Sequence, residues 1–489
     1  MPRRLLHSVA FALAGLAILG GAAAVEESAG QRARAQDPVS IAGIRQHLAA
    51  LQAIAQRNGG NRFAGTAGYD ASARYVATRM RAAGYSVRVQ EFVFPFVVDR
   101  SPPALRPVDP AAWDYRANRD FATFSYSGSG EIDAPVAAVD LLVPSPQPNA
   151  STSACEYSDF ARFPRGAVAL VQRGTCRFRE KLTNAVAAGA SALVVFNEGN
   201  DERRGLFSAT LGPPQAGIPA VSASFALGDA LRRGVRDGPT GVRVRLRTDM
   251  VAESRRTRNV IAETRAGDPR KLVVVGAHLD SVQRGPGLND NGSGSVLILE
   301  VAEQMARVRP RNKVRFVWWS AEEVGLLGSS HYVGQLSAAA QQRHALYLNL
   351  DMVGSPNFVR FVYDGDGSTS SGSSGPSGGS AAIERVFASY FRTRKLAYKE
   401  TDLGGGSDHV PFARAGIPVG GLFTGTDSLK SSAEASIFGG RAGQPYDPCY
   451  HAPCDTAANV NVTVLKQLAG AVAYAVGRFA RDVSSVGRR

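Results

Sequence analysis

The sequence predicts an α/β fold, in which helices sandwich a mixed, largely parallel sheet and a β-rich domain is inserted. Three observations carry this. From Asn259 onward, short apolar runs (272–276, 314–319, 345–350) alternate with helical patterns, as in strands covered on both faces. Between about Asp120 and Arg247 the pattern changes to short β-type runs at 136–143, 168–171, 192–196 and 218–222, broken by one helix over 178–188. Helical periodicity at the two ends, 39–55 and 463–481, suits helices that pack together, which makes the β-rich stretch an insertion.

The chain starts with Arg3 and Arg4, an apolar run over 9–19 and the small residues Ala22, Ala23 and Ala24. That order reads as a secretory signal peptide over 1–24. The run is short for a membrane span and no later one is longer, so a secreted protein, extracellular or periplasmic and free of the membrane after cleavage, is expected. Residues 37–119 form the first part of the main domain: helices over 39–55 and 69–83, a strand over 86–92, and a proline-rich linker over 100–110. The inserted domain is placed at 120–247 and the rest of the main domain at 255–485.

At 489 residues, with 44% hydrophobic and 20% charged side chains, the chain can bury more than one core. Its formal charge of +14 is spread without a clustered basic stripe and interleaved aromatics, which argues against nucleic-acid binding. Cys155, Cys176, Cys449 and Cys454 allow three pairings, and their short separations favour the two local bridges. No Cys-x2-Cys pair suggests a zinc-thiolate site.

The residues suited to chemistry follow apolar runs. His278 and Asp280 come after 273–277, with Asp280 placed to hold the second imidazole nitrogen. Asp290 lies in an Asn-Asp-Asn-Gly-Ser-Gly turn that opens a helix. Glu322 and Glu323 follow 314–320; one can ligate a metal while the other serves as general base. Asp351 follows 346–350, and a bridge between Cys449 and Cys454 would fix His451. His47, His331 and His344 lack such a setting and read as structural or surface residues. Two histidines and three carboxylates, one able to bridge, suit two divalent ions, and mixed nitrogen and oxygen donors favour zinc over cobalt or manganese. Gly375-Pro376-Ser377-Gly378-Gly379 formally matches a serine-hydrolase elbow, but it lies in a Gly/Ser tract with no strand before it and is set aside.

At these residues the chain resembles the M28 family of zinc aminopeptidases, particularly secreted bacterial leucine-type enzymes with a zinc exopeptidase fold. The resemblance rests on Ala277-His278-Leu279-Asp280-Ser281, Asn289-Asp290-Asn291-Gly292-Ser293-Gly294, Ala321-Glu322-Glu323 and Cys449-Tyr450-His451. It implies two zinc ions per chain, with His278 and Asp351 on one, Glu323 and His451 on the other, and Asp290 bridging. It further implies Glu322 as general base, Tyr450 as donor to the oxyanion, Asp280 as the group orienting His278, and a cis peptide between Asp290 and Asn291.

Gly420-Gly421-Leu422-Phe423-Thr424 resembles the family's specificity-pocket segment, so Phe423 is expected to touch a large apolar N-terminal side chain. Gly406 departs from relatives that carry an arginine there. The inserted stretch resembles a protease-associated (PA) domain at Cys155-Glu156-Tyr157, Gly174-Thr175-Cys176 and Gly217-Ile218-Pro219-Ala220-Val221, which implies a role in substrate access or protein contact. The expected function is therefore a secreted di-zinc aminopeptidase acting on peptide or protein N-termini. The rivals are a carboxypeptidase or glutaminyl cyclase on the same scaffold, and a non-catalytic binding protein acting through its PA domain. The sequence identifies no calcium site and no oligomeric state.

Overall fold

The computed structural model describes residues 39–108, 114–201, 203–369 and 378–487. The signal segment 1–24 and most of the elbow-like Gly/Ser tract lie outside the described residues. The chain forms two compact units: one from the residues up to Phe94 together with those from Arg256 on, the other from Pro95–Arg255.

The first unit holds an eight-stranded sheet in the order β1-β9-β11-β10-β12-β15-β13-β14. Its strands are β1 (Ser86–Asp99), β9 (Met250–Glu263), β10 (Asp268–His278), β11 (Asn312–Trp319), β12 (His344–Leu350), β13 (Phe361–Tyr363), β14 (Lys399–Thr401) and β15 (Val419–Phe423). β10 pairs in parallel with both β11 and β12, and β12 with β15. Both faces are covered, which explains the unbroken apolar runs: Val273 and Val275 enter one core cluster, while Val274, one residue out of phase, enters another with Trp319, Tyr347 and Phe412. Each buried valine contributes about 1.5–3 kcal/mol by leaving water.

The helices on the first face are α1 (Ile41–Arg57), α2 (Ala67–Ala82), α5 (Gly292–Met305), α8 (Ser380–Thr393) and α11 (Val462–Phe479). Leu465, Leu468, Val472, Val476 and Phe479 line the buried side of α11 at helical spacing, and Asn461 caps its start by accepting from Thr463 N and Val464 N. Ile44, Leu48 and Leu51 of α1 join the same cluster, so the two chain ends pack together as expected. α6 (Leu327–Gly334), α7 (Ala338–Arg343), α9 (His409–Arg414) and α10 (Ser432–Phe438) complete this unit.

The second unit is built on a seven-stranded sheet, β2-β8-β4-β5-β6-β7-β3. Its strands are β2 (Ala104–Pro107), β3 (Phe121–Thr123), β4 (Gly130–Ala138), β5 (Val168–Gln172), β6 (Ala192–Phe196), β7 (Ala220–Ala223) and β8 (Gly238–Thr248). β4 to β7 run parallel. Two helices, α3 (Phe178–Ala187) and α4 (Phe225–Arg232), accompany them, where the sequence predicted one.

One boundary is corrected. Residues 100–110 are not a plain linker and 37–119 do not all belong to the first unit, because β2 pairs antiparallel with β8, Leu105 opposite Leu246. As an edge strand, β2 tolerates Pro107. Both local disulfides form, Cys155–Cys176 and Cys449–Cys454.

Candidate active site

Three adjacent parallel strands, β11, β10 and β12, deliver acidic and imidazole groups at their carboxyl ends, the edge of an open α/β sheet where ligands bind. His278 closes β10, Glu322 and Glu323 come three and four residues after Trp319 ends β11, and Asp351 follows β12 directly. Asp290 precedes α5, whose N-cap Asn291 accepts from Gly294 N at 2.9 Å. The peptide between Asp290 and Asn291 is cis. His451 lies in the short loop closed by Cys449–Cys454.

These side chains converge. Asp290 turns Oδ1 to His278 Nε2 at 3.2 Å and Oδ2 to His451 Nε2 at 2.9 Å. Asp351 Oδ1 lies 3.3 Å from His278 Nε2, and Glu323 Oε2 lies 3.1 Å from His451 Nε2. Glu322 stands slightly back, its Oε2 3.9 Å from His278 Nε2. All five proposed ligands and Glu322 line one cavity of about 560 Å³.

The charge balance of this cluster calls for a cation. Burial would lower His451, yet the carboxylates of Asp290 and Glu323 raise it to about 10. Burial, and then Asp290, push Glu323 up to about 7. Glu322 is raised well above the carboxylate range, chiefly by burial. Asp351 Oδ1, Glu323 Oε1 and His451 Nε2 are buried without a hydrogen bond, although such groups are costly to leave unpaired. On each side of Asp290 one imidazole nitrogen and one further carboxylate join it, a donor set for divalent ions, so the residues present fit two zinc ions.

Asp280 meets His278 Nδ1 by its main-chain oxygen at 3.1 Å and by a carboxylate oxygen at 3.7 Å. The carboxylate also accepts from Glu322 N at 3.3 Å and Glu323 N at 3.4 Å, so it fixes the glutamate pair as well. Tyr450 lines the cavity and its ring stacks on His451 at 3.8 Å. Phe423 also lines the cavity and stacks on Phe361, serving wall and core together.

Beyond Asp280, four more residues support the site. Asp455 accepts from Asn289 N at 2.8 Å and Asp290 N at 3.0 Å, which holds the bridging turn. Asp447 accepts from Asn289 Nδ2 at 2.7 Å and Cys449 N at 2.8 Å, tying that turn to the His451 loop. Ser407 donates to Asp351 Oδ2 at 2.6 Å. Arg62 is fully buried and donates to the carbonyls of Leu279, Pro286 and Gly287.

The profile of Peptidase family M28 matches residues 259–476, and that of the PA domain residues 134–231. A Pseudomonas aeruginosa protein named aminopeptidase is 46% identical over 431 residues, 88% of this chain and 79% of that protein. A Mycobacterium tuberculosis protein named probable lipoprotein aminopeptidase is 38% identical over 480 residues, 95% of this chain and 89% of that one. Among solved structures, an aminopeptidase from Aneurinibacillus sp. strain AM-1 aligns with a TM-score of 0.66 at 25% identity, over 93% of this chain and 97% of that chain. A zinc aminopeptidase from Bacillus subtilis aligns at 0.62 and 26% identity, over 91% and 97%.

Proposed function

The chain belongs to peptidase family M28 and is a metallo-aminopeptidase, and from that premise we propose that it is a secreted two-zinc enzyme releasing large apolar residues from peptide N-termini. The observation that carries the two-ion reading is the bidirectional Asp290 carboxylate, one oxygen toward His278 and the other toward His451. His278 with Asp351 would hold one ion, His451 with Glu323 the other, and Asp290 would serve both. Bound there, such ions polarise the scissile carbonyl and lower the pKa of an attacking water.

The remaining steps fall to the chain's own groups. Glu322 is buried at the cavity but stands further from His278 than Asp290 and Asp351 do, which suits a base rather than a ligand. It takes the proton from water as the water attacks and delivers it to the leaving amine. The Asp280 carboxylate keeps Glu322 and Glu323 in place through their amide N–H groups. Tyr450, ordered by its stack on His451, donates to the oxyanion as it develops. Asp351 and Glu322 together hold the free α-ammonium of the substrate, which restricts cleavage to the first peptide bond. Phe423, Met352 and Leu403 give the cavity an apolar wall, the basis for preferring a large apolar first residue.

Secretion is supported by the leader-like first 24 residues and by two disulfides, which suit an oxidising compartment. Among the described residues no helix is long and apolar enough to cross a membrane. The PA unit is proposed to engage protein partners or substrate.

The test uses a leucine-first peptide and its N-acetylated twin, incubated with the zinc-loaded protein and analysed by mass spectrometry. Release of leucine from the free-amine peptide alone, stopped by a chelator, is expected. Shortening of both peptides from the far end would establish a carboxypeptidase, loss of ammonia from a glutamine-first peptide without chain cleavage a cyclase, and no reaction a binding protein.

A further inference from the structure

A second group of convergent donors lies away from the catalytic cluster, where α1, α2 and α5 meet. His47 of α1 is fully buried, and its Nε2 lacks a hydrogen bond. That nitrogen is turned toward Glu300 Oε2 at 3.7 Å and Glu303 Oε2 at 3.6 Å, both on α5. The three donor atoms lie within 4.8 Å of one another. Glu300 is almost fully buried, at 2% exposure, and its carboxylate packs so closely on α1 that a Cβ on Gly43 would fall 2.1 Å from Oε2. A buried imidazole nitrogen is expensive to leave unpaired.

We propose that His47, Glu300 and Glu303 form a third divalent-metal site, a structural one that ties α1 to α5. The donor set, one imidazole nitrogen and two carboxylate oxygens, is of the same kind as His278 with Asp290 and Asp351, and as His451 with Asp290 and Glu323. Zinc bonds of about 2.0–2.2 Å set tetrahedral donors roughly 3.4 Å apart, close to the separations of 3.6 and 3.7 Å seen here.

The surroundings match what ligands need. Tyr75 OH lies 2.7 Å from His47 Nδ1 and can accept its N–H, which leaves the Nε2 lone pair facing the carboxylates. Glu300 Oε1 accepts from Ser40 N at 3.1 Å and Gln304 Nε2 at 3.1 Å, so Oε2 is the oxygen presented. Arg79 of α2 donates from Nε to Glu303 Oε1 and from Nη2 to Glu303 Oε2, both at 2.6 Å, which orients the carboxylate and leaves the second lone pair of Oε2 for the ion. The charged and titratable groups facing His47 are thus Glu300, Glu303, Arg79 and Tyr75, and the rival occupant of Nε2 is a proton.

The experiment uses the full chain, stripped with chelator, reloaded with zinc, desalted and assayed for bound metal. His47→Gln is expected to carry one equivalent fewer than the unsubstituted protein while leucine-peptide hydrolysis is unchanged; equal equivalents would overturn the proposal. Crystals of the unsubstituted protein soaked in zinc provide a readout that needs no variant. An anomalous peak between His47 and the two glutamates is expected, and a filled catalytic cluster with no peak at His47 would overturn the site.

Discussion

The two units build the same kind of sheet and use it differently. In the first, β10, β11 and β12 are parallel and buried; in the second, β4 to β7 are parallel, and β5 and β6 are buried at every residue. The difference lies just past the strand ends. β10, β11 and β12 lead into His278, Glu322 with Glu323, and Asp351, whereas β5 leads into Arg173, β6 into Asn197 and Glu198, and β7 into Ser224. The second unit's buried charges are individually partnered: Glu198 with Arg203 at 2.6 Å, and Lys181 with the Ser153 carbonyl. Past the ends of β10, β11 and β12 the buried charges crowd one another, and Asp351 Oδ1, Glu323 Oε1 and His451 Nε2 have no hydrogen bond. A parallel sheet supplies an edge, and the residues placed on that edge make the site.

Substitutions in the two units should have very different effects. The largest effect is expected for His278→Ala, which removes the nitrogen donor shared between Asp290 and Asp351. Hydrolysis should fall by roughly 10³-fold or more, with one zinc equivalent lost, as measured by metal analysis beside a peptide assay. Next comes Asp280→Asn, which weakens the clamp on the Glu322 and Glu323 amides; a loss of about 10–100-fold in kcat/KM is expected. Removing the bridge that closes the His451 loop, with Cys449→Ser and Cys454→Ser together, should raise the zinc needed for half activity roughly tenfold, because the ligand is no longer pre-organised.

The smallest effect on hydrolysis, none, is expected in the second unit for Lys181→Met. There the readout is stability. Burial lowers the Lys181 ammonium from 10.5 to about 8, so between these values the unfolded chain binds more protons than the folded one. Stability of this unit should therefore rise as pH rises from about 8 toward 10.5, by at most a few kcal/mol at about 1.4 kcal/mol per pH unit. Calorimetric unfolding of the full chain should show this slope, and Lys181→Met should flatten it. A loss of hydrolysis in that variant would erase the contrast between the units.

What could be read from the sequence was what local pattern records. His278, Glu322, Glu323 and Asp351 each follow an apolar run that could only be a covered strand, and Asp290 precedes a helix start marked by Asn291 and two glycines. The α/β alternation and the insertion were legible for the same reason. Asp455, Asp447 and Arg62 were not, because their roles rest on contacts to residues 158–225 positions away, which leave no periodic trace. Asp280 was legible as a partner of His278, but its second hold, on the amides of Glu322 and Glu323, was not. β2 was hidden by Pro102 and Pro103 just before it and by Pro107 at its end, which read as a linker although an edge strand accepts a proline such as Pro107.

If Glu322 is the base and the other five groups hold the metal, Glu322→Gln separates binding from turnover. Zinc content and leucine-peptide hydrolysis of this variant, measured on one preparation beside the unsubstituted protein, should show unchanged zinc equivalents and a fall in kcat of about 10²–10⁴-fold. Turnover within a few-fold of the unsubstituted protein, with zinc in place, would contradict that assignment.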